Sequence, residues 1–178
     1  MTEKELVQGC LKEDGAYQKA LFDRYAPKML SVCKRYARHS MEAEDLLQDA
    51  FIRVFDKLGS FRGDGSLEGW VRRIVVHACI RNYRKSSFKK EQFGLECLPE
   101  EPVEADAISS MSADEMLELI KELPDGYRMA FNLFAIEGYG HAEIAEMMGC
   151  GESTSRSQLA KARRWLQARI IEMEKVAV

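Results

Sequence analysis

Apolar residues recur at helical spacing along nearly the whole of this chain, and the recurrence fails in one long stretch. From about Ser86 to Ser112 the period is lost. Pro99, Pro102, several serines and the six acids of Glu91 to Asp106 collect there instead, which is the composition of a linker. Strand signals are absent, since the β-branched cluster Ile74-Val75-Val76 sits inside a longer helical pattern. The expected fold is all-α, with two small helical domains over 1–88 and 113–178 joined by a flexible acidic linker over 89–112.

In the first part, Thr2 and Glu5 have the spacing of a capping box. After Asp14-Gly15 a segment from about Ala16 to Arg38 keeps an apolar face through Leu21, Tyr25, Leu30, Val32 and Tyr36, and Pro27 is expected to kink or split it. Ser40 reads as the N-cap of the next helix, with Glu42 and Glu44 near its positive end. There Leu47, Phe51, Val54 and Leu58 recur at i, i+4, i+7 and i+11, a buried stripe. The loop FRGDGS (61–66) breaks the pattern, and Ser66 is placed to cap a helix burying Leu67, Val71, Ile74, Val75 and Ala78.

The second part is expected to be a four-helix unit. Met116, Leu117, Ile120 and Leu123 face one way before Leu123-Pro124 ends the first helix, and a second helix runs from about Gly126 to Glu137. Gly138-Tyr139-Gly140 then leads into a short helix, His141 to Met148. Gly149-Cys150-Gly151 turns the chain again into a long helix, Glu152 to Glu174. A short helix, a tight glycine turn and a longer helix form the helix-turn-helix pattern, whose second helix enters the DNA major groove. Ala142, Ile144, Ala145 and Met148 are expected to pack inward, with Leu159, Ala162, Leu166 and Ile170 as the inward stripe of the long helix. At about 100° per residue its other face carries Ser157, Ala160, Lys161 and Arg164, with Thr154 and Gln158 at the edge and Arg156 on the flank. Short polar groups there can approach base edges while cations meet phosphate or guanine. An ordinary basic surface helix is the bland alternative.

The net charge of −3 hides an uneven distribution. Arg62 to Lys90 holds eight basic residues against Asp64 and Glu68, and Ser153 to Ile170 holds five basic residues and no acid. Such segments suit a polyanion despite the acidic total. Cys10, Cys33, Cys79, Cys97 and Cys150 are scattered and never spaced as a metal or disulfide pair, and with no P-loop glycine-lysine motif and no Ser-His-Asp set among three histidines, no metal, cofactor or catalytic set is expected. No apolar run reaches the roughly 20 residues that span a bilayer. MTEKELVQGC lacks the order of a secretory signal, which gives a cytoplasmic expectation without membrane insertion.

Two more surfaces stand out. Trp70, Arg73, His77, Arg81 and Arg84 fall in one narrow sector of the helix after Ser66; an aromatic among cations can stack on an unpaired base, or Trp70 can simply close the edge of the core. On the preceding helix, Glu44, Asp45, Gln48, Asp49 and Arg53 stand opposite or beside the apolar stripe, as a solvated face or as a docking surface for a basic partner.

These segments in this order resemble the sigma-70 family, in its small extracytoplasmic-function (ECF) group with domains 2 and 4 only. MEAEDLLQDAFIRVFDKL (41–58) resembles the core-binding region, FRGDGSLEGWVRRIVVHACIRNYRK (61–85) the −10 recognition and melting region, and residues 123–166 the −35-reading domain. The resemblance implies a non-enzymatic sigma factor whose partners are core RNA polymerase (the β′ clamp helices and β flap), promoter DNA and, as for many relatives, an anti-sigma factor. It implies polymerase contacts at Asp45, Gln48, Asp49 and Phe51, and −10 contacts at Arg62, Trp70, Arg73, His77, Arg81 and Arg84. It implies −35 contacts at Thr154, Arg156, Ser157, Gln158, Lys161 and Arg164. Position 77 holds His where many relatives have Asn. A helix-turn-helix regulator that never touches polymerase would account for 113–178 alone, and would leave the FRGDGS loop, the basic sector and the acidic face without a purpose.

Overall fold

The chain is helical through most of what the structure, a computed structural model, describes: the backbone of 1–90 and 111–176, with the side chains of 1–87 and 111–175. The expected acidic linker falls almost wholly outside those residues, as does Cys97. Among the described residues there is no strand. Two compact units are distinguished, Met1–Asn82 and Tyr83–Val178.

In the first unit, α1 (Glu3–Leu11) starts at a complete capping box: Thr2 Oγ1 accepts from the Glu5 N–H at 3.2 Å, and the Glu5 carboxylate accepts from the Thr2 N–H at 2.8 Å. Asp14 caps α2 (Gly15–Tyr36), which packs on α1 and α3. Pro27 does not split α2. Its ring and missing N–H disfavour a helix interior by about 3 kcal/mol. Tyr25, Ala26 and Met29 are buried around it, at about 1.5–3 kcal/mol for a large side chain, and burial prevails. α3 (Ser40–Lys57) is capped one residue earlier than expected. His39 Nδ1, not Ser40, accepts from the Glu42 N–H at 3.1 Å. The Glu42 carboxylate is held in turn by the Arg38 N–H and Asn82 Nδ2.

A 3₁₀ turn (Leu58–Ser60) leads to the loop and then to α4 (Leu67–Lys90), where Ser66 Oγ accepts from the Gly69 N–H at 3.1 Å. Leu67, Val71, Val75 and Ala78 are buried as expected, while Ile74 is only half-buried. The Glu3 carboxylate accepts from Tyr25 Oη and the Leu67 N–H, tying α1, α2 and α4. The helix also overruns the expected loss of pattern near Ser86. Ser86 and Ser87 donate their hydroxyls back to the carbonyls of Tyr83 and Arg84, so their polarity is absorbed within the helix.

In the second unit, Ser112 and Glu115 form the capping box of α5 (Ala113–Glu122). The expected second helix is interrupted: α6 (Asp125–Phe131) passes into a π-helical turn, Asn132–Ile136, in which the Glu137 N–H reaches back five residues to the Asn132 carbonyl. Arg128 is 3% exposed and donates to the carbonyls of Lys121 and Leu123 and to Asp125, closing the C-terminal end of α5. α7 (His141–Met148) and α8 (Glu152–Val176) complete the unit, and both α6 and α7 pack on α8. Leu119, Leu123, Ala162, Leu166 and Ile170 form its core, bordered by Tyr127, Phe131 and Trp165. Of the four cysteines described, Cys10, Cys33 and Cys79 are buried and Cys150 is half-exposed.

Candidate functional site

Three surfaces carry the chemistry expected from the sequence, and each is set by the helix beneath it. On α3, burial of Leu47, Val54 and Leu58 turns Asp45, Gln48 and Asp49 to solvent. Phe51 corrects the expectation. It is 3% exposed, its ring edge-on to Phe22 at 4.8 Å between centroids, so it is a core residue and presents nothing to a partner. The apolar groups of the exposed face are Ile52 and Met41, 60% and 71% exposed. At about 100° per residue both fall in the sector of Asp45. That spacing is legible in the sequence, which also places Phe51 in the buried stripe.

On α4, Arg73, His77, Arg81 and Arg84 are exposed along one ridge, and Arg62 is exposed in the preceding loop. Trp70 is half-buried, tilted against Phe61 at 5.5 Å. It is therefore neither a core residue nor a free plate: one part packs and another borders a cavity of about 320 Å³. Arg53 and Lys57 of α3 line this cavity together with Trp70, Arg73, His77 and Arg81. Desolvation first, then the charges of Arg73, Lys57 and Arg81, hold the His77 imidazole below its ordinary range. It is a neutral ring at neutral pH, able both to donate and to accept. Periodicity along one helix could not reveal the contribution of α3, which is a product of tertiary packing.

The turn of the helix-turn-helix falls where expected, between Met148 and Glu152, and α8 runs two residues past the expected Glu174. Gly140 takes an extended backbone, and its N–H donates to the Glu143 carboxylate at 2.8 Å. Gly149 turns left-handed, φ 69°, which a side chain would disfavour, and the Cys150 N–H closes on the Ala145 carbonyl. Ile144, Ala145 and Met148 pack inward; Ala142 does not, standing exposed on the first turn.

Along α8, Thr154, Arg156, Ser157, Lys161 and Arg164 are all exposed, Arg156 paired with Glu152. Gln158 departs from this set. It is half-buried beside Gly126, with its Oε1 buried and unbonded, so reading DNA requires that it turn outward. A further arrangement was not legible in the sequence: Ser155, fully buried, bonds His141 Nδ1 at 3.0 Å, His141 stacks on Phe134 at 4.7 Å, and Arg163 lies over the same ring. These contacts fasten the start of α7 to the first turn of α8.

Among the described residues no group of His, Cys, Asp or Glu is arranged to hold a metal ion, and no helix is long and apolar enough to cross a membrane.

Comparison with known proteins supplies the frame for these surfaces. Residues 21–88 match the family model described as Sigma-70 region 2, and residues 113–166 match Sigma-70, region 4. The chain is 30% identical over 183 residues to the ECF RNA polymerase sigma-E factor of Escherichia coli strain K12, covering 96% of this chain and 95% of that one. It is 27% identical to the RNA polymerase sigma-H factor of Pseudomonas aeruginosa, covering 90% of each. Its fold is similar to that of the sigma factor RpoE from Bartonella quintana, solved with the anti-sigma factor NepR. There the TM-score is 0.50 at 21% identity, over 86% of this chain and 96% of that one.

Proposed function

This chain belongs to the sigma-70 family, in its ECF group, and from that premise we propose that it binds core RNA polymerase and directs it to promoters, starting transcription there without catalysing a reaction itself. The observation that carries the reading is the presence of both family regions, in order, on one chain whose α4 and α8 each carry an exposed cationic ridge. We assign sigma domain 2 to residues 1–88, the linker to 89–112 and sigma domain 4 to 113–178, acting in the cytoplasm where polymerase works.

Asp45, Gln48 and Asp49 are the polar polymerase contacts in this assignment, with Ile52 in the apolar role that Phe51 cannot fill. Apolar groups ringed by charge are suited to a partner interface, because the charges select and orient while the apolar centre excludes water. Arg62, Trp70, Arg73, His77, Arg81 and Arg84 hold the −10 element as a single strand. Extruding a base costs a few kcal/mol of unstacking, which stacking and hydrogen bonds in a pocket must offset. Trp70 supplies a ring and neutral His77 a donor and an acceptor. Thr154, Arg156, Ser157, Lys161 and Arg164 meet the −35 element, and Gln158 joins them only after leaving Gly126. An anti-sigma protein is the remaining partner in this reading, competing for the same surfaces.

Run-off transcription tests it: core polymerase, this protein and fragmented genomic DNA from the source organism. Discrete transcripts that require the protein are expected. Binding of the protein to DNA fragments without any capture of core polymerase would instead leave a plain helix-turn-helix regulator.

A further inference from the structure

The −10 surface as assigned lies on α4 and its loop, yet two cations of another helix share its cavity. Arg53 and Lys57, one turn apart on α3, line it beside Trp70, Arg73, His77 and Arg81. Among the described residues no carboxylate lines this cavity and none of its four cations is in an ion pair. Arg53 had the opportunity. Asp49 precedes it by four residues, the favourable order for a helical pair, and Asp56 follows by three. Arg53 lines the cavity and, among the described residues, pairs with neither acid. Four positive groups around one space repel each other, and His77, disfavoured as a cation by three of them, feels the same field. An anion in the cavity relieves both.

Which anion is indicated by the neighbour. An aromatic ring beside uncompensated guanidinium and ammonium groups matches a nucleotide, whose base stacks while its phosphate takes the charge-assisted hydrogen bonds. Resting on the −10 assignment above, we propose that the cavity between α3 and α4 is a phosphate subsite. Arg53 and Lys57 grip one phosphodiester of the single strand, adjoining the nucleotide whose base meets Trp70, and Arg73 and Arg81 close on it from the other helix. The family-level expectation places base recognition on α4; this adds a backbone clamp from α3 that fixes the position of the strand.

The test uses the full-length protein and a five-thymidine single strand, intact or with one linkage at a time made neutral as a methylphosphonate. Binding is followed by the His77 ring-proton resonances. One linkage, and only one, should matter, its neutralisation weakening binding about tenfold, as for the loss of a charge-assisted hydrogen bond. Arg53→Gln with Lys57→Gln should bind about tenfold more weakly, with a salt slope shallower by about 0.7, and should no longer distinguish the linkages. Arg53→Lys with Lys57→Arg, which keeps both charges, should keep the distinction between linkages. Because repulsion is relieved, the double variant should melt no lower than wild type, which separates loss of binding from loss of fold. Equal sensitivity of all linkages, or wild-type behaviour of the double variant, would overturn the clamp. So would thymidine monophosphate moving His77 as strongly as the pentamer does, since the site would then belong to free nucleotides. Run-off transcription by the wild-type protein reports on the sigma reading alone, so the two proposals fail separately.

Discussion

Burial first, then the charges of Arg73, Lys57 and Arg81, disfavours the cationic form of His77, and this fixes the sign of its titration. Its folded pKa lies below the unfolded value of about 6.5, so as pH falls through that range the unfolded chain takes up the proton first. Stability associated with His77 is thus complete above that range and declines as pH drops toward the folded pKa. His77→Gln should flatten this part of the stability–pH profile, measured by urea titration at a series of pH values; an unchanged profile would mean that the neighbouring charges do not act on the ring. Phe51 gives a different lesson at the same scale. Its place in the buried stripe is legible and implies burial, and the contact role that the family resemblance implies there gives way to that geometry. The exposed neighbour Ile52 has the same helical phase as the acids, and phase, not side-chain size, identifies a face.

Helix limits were most legible where a cap or glycine set them. Thr2, Ser66, Gly140 and Gly149 stand at ends the sequence already marked, because their side chains or backbone freedom act within one turn. Limits set by packing were not: α4 runs through Ser86-Ser87 to Lys90, and α6 gives way to a π turn at Asn132 with no local signal for the change. Packing between helices also decides two substitutions. Gly9 lies on α1 where an added Cβ would sit 2.1 Å from Cγ of Tyr17 on α2. Alanine is about 1 kcal/mol better than glycine in a helix interior, but overpacking costs about 1–3 kcal/mol, and Cγ cannot swing away as the end of a flexible chain could. Gly9→Ala should lower stability, and much less so in a Tyr17→Leu background, a coupling that a double-mutant cycle measures. Ser155→Ala removes the bond to His141 and should cost about 1 kcal/mol in thermal unfolding. It should also weaken binding to −35 duplex DNA, since the start of the recognition helix loses its tie to α7. Normal affinity in a destabilised Ser155→Ala protein would reduce this pair to a stability role.

For the molecule as a whole, the total charge of −3 says little, and its placement says more. The acids of α3 face outward around Ile52, while α4 and α8 each carry a cationic ridge. Asp45→Lys with Asp49→Lys should therefore leave folding nearly unchanged, as is usual for surface positions. Affinity for core polymerase should fall by at least about tenfold, and −35 duplex binding should stay the same. Pull-down with core polymerase and a fluorescence binding assay would check the two halves, and loss of both together would argue against separate surfaces. The distribution of thiols has a practical consequence. Cys10, Cys33 and Cys79 are shielded within the first unit, whereas Cys150, in the glycine turn before α8, is half-exposed, its thiol pushed up by burial. With Cys97 replaced by Ser, a maleimide dye at mildly alkaline pH should find one natural attachment point, beside the recognition helix. The protein would then carry its own optical reporter of promoter engagement, with no cysteine added by design.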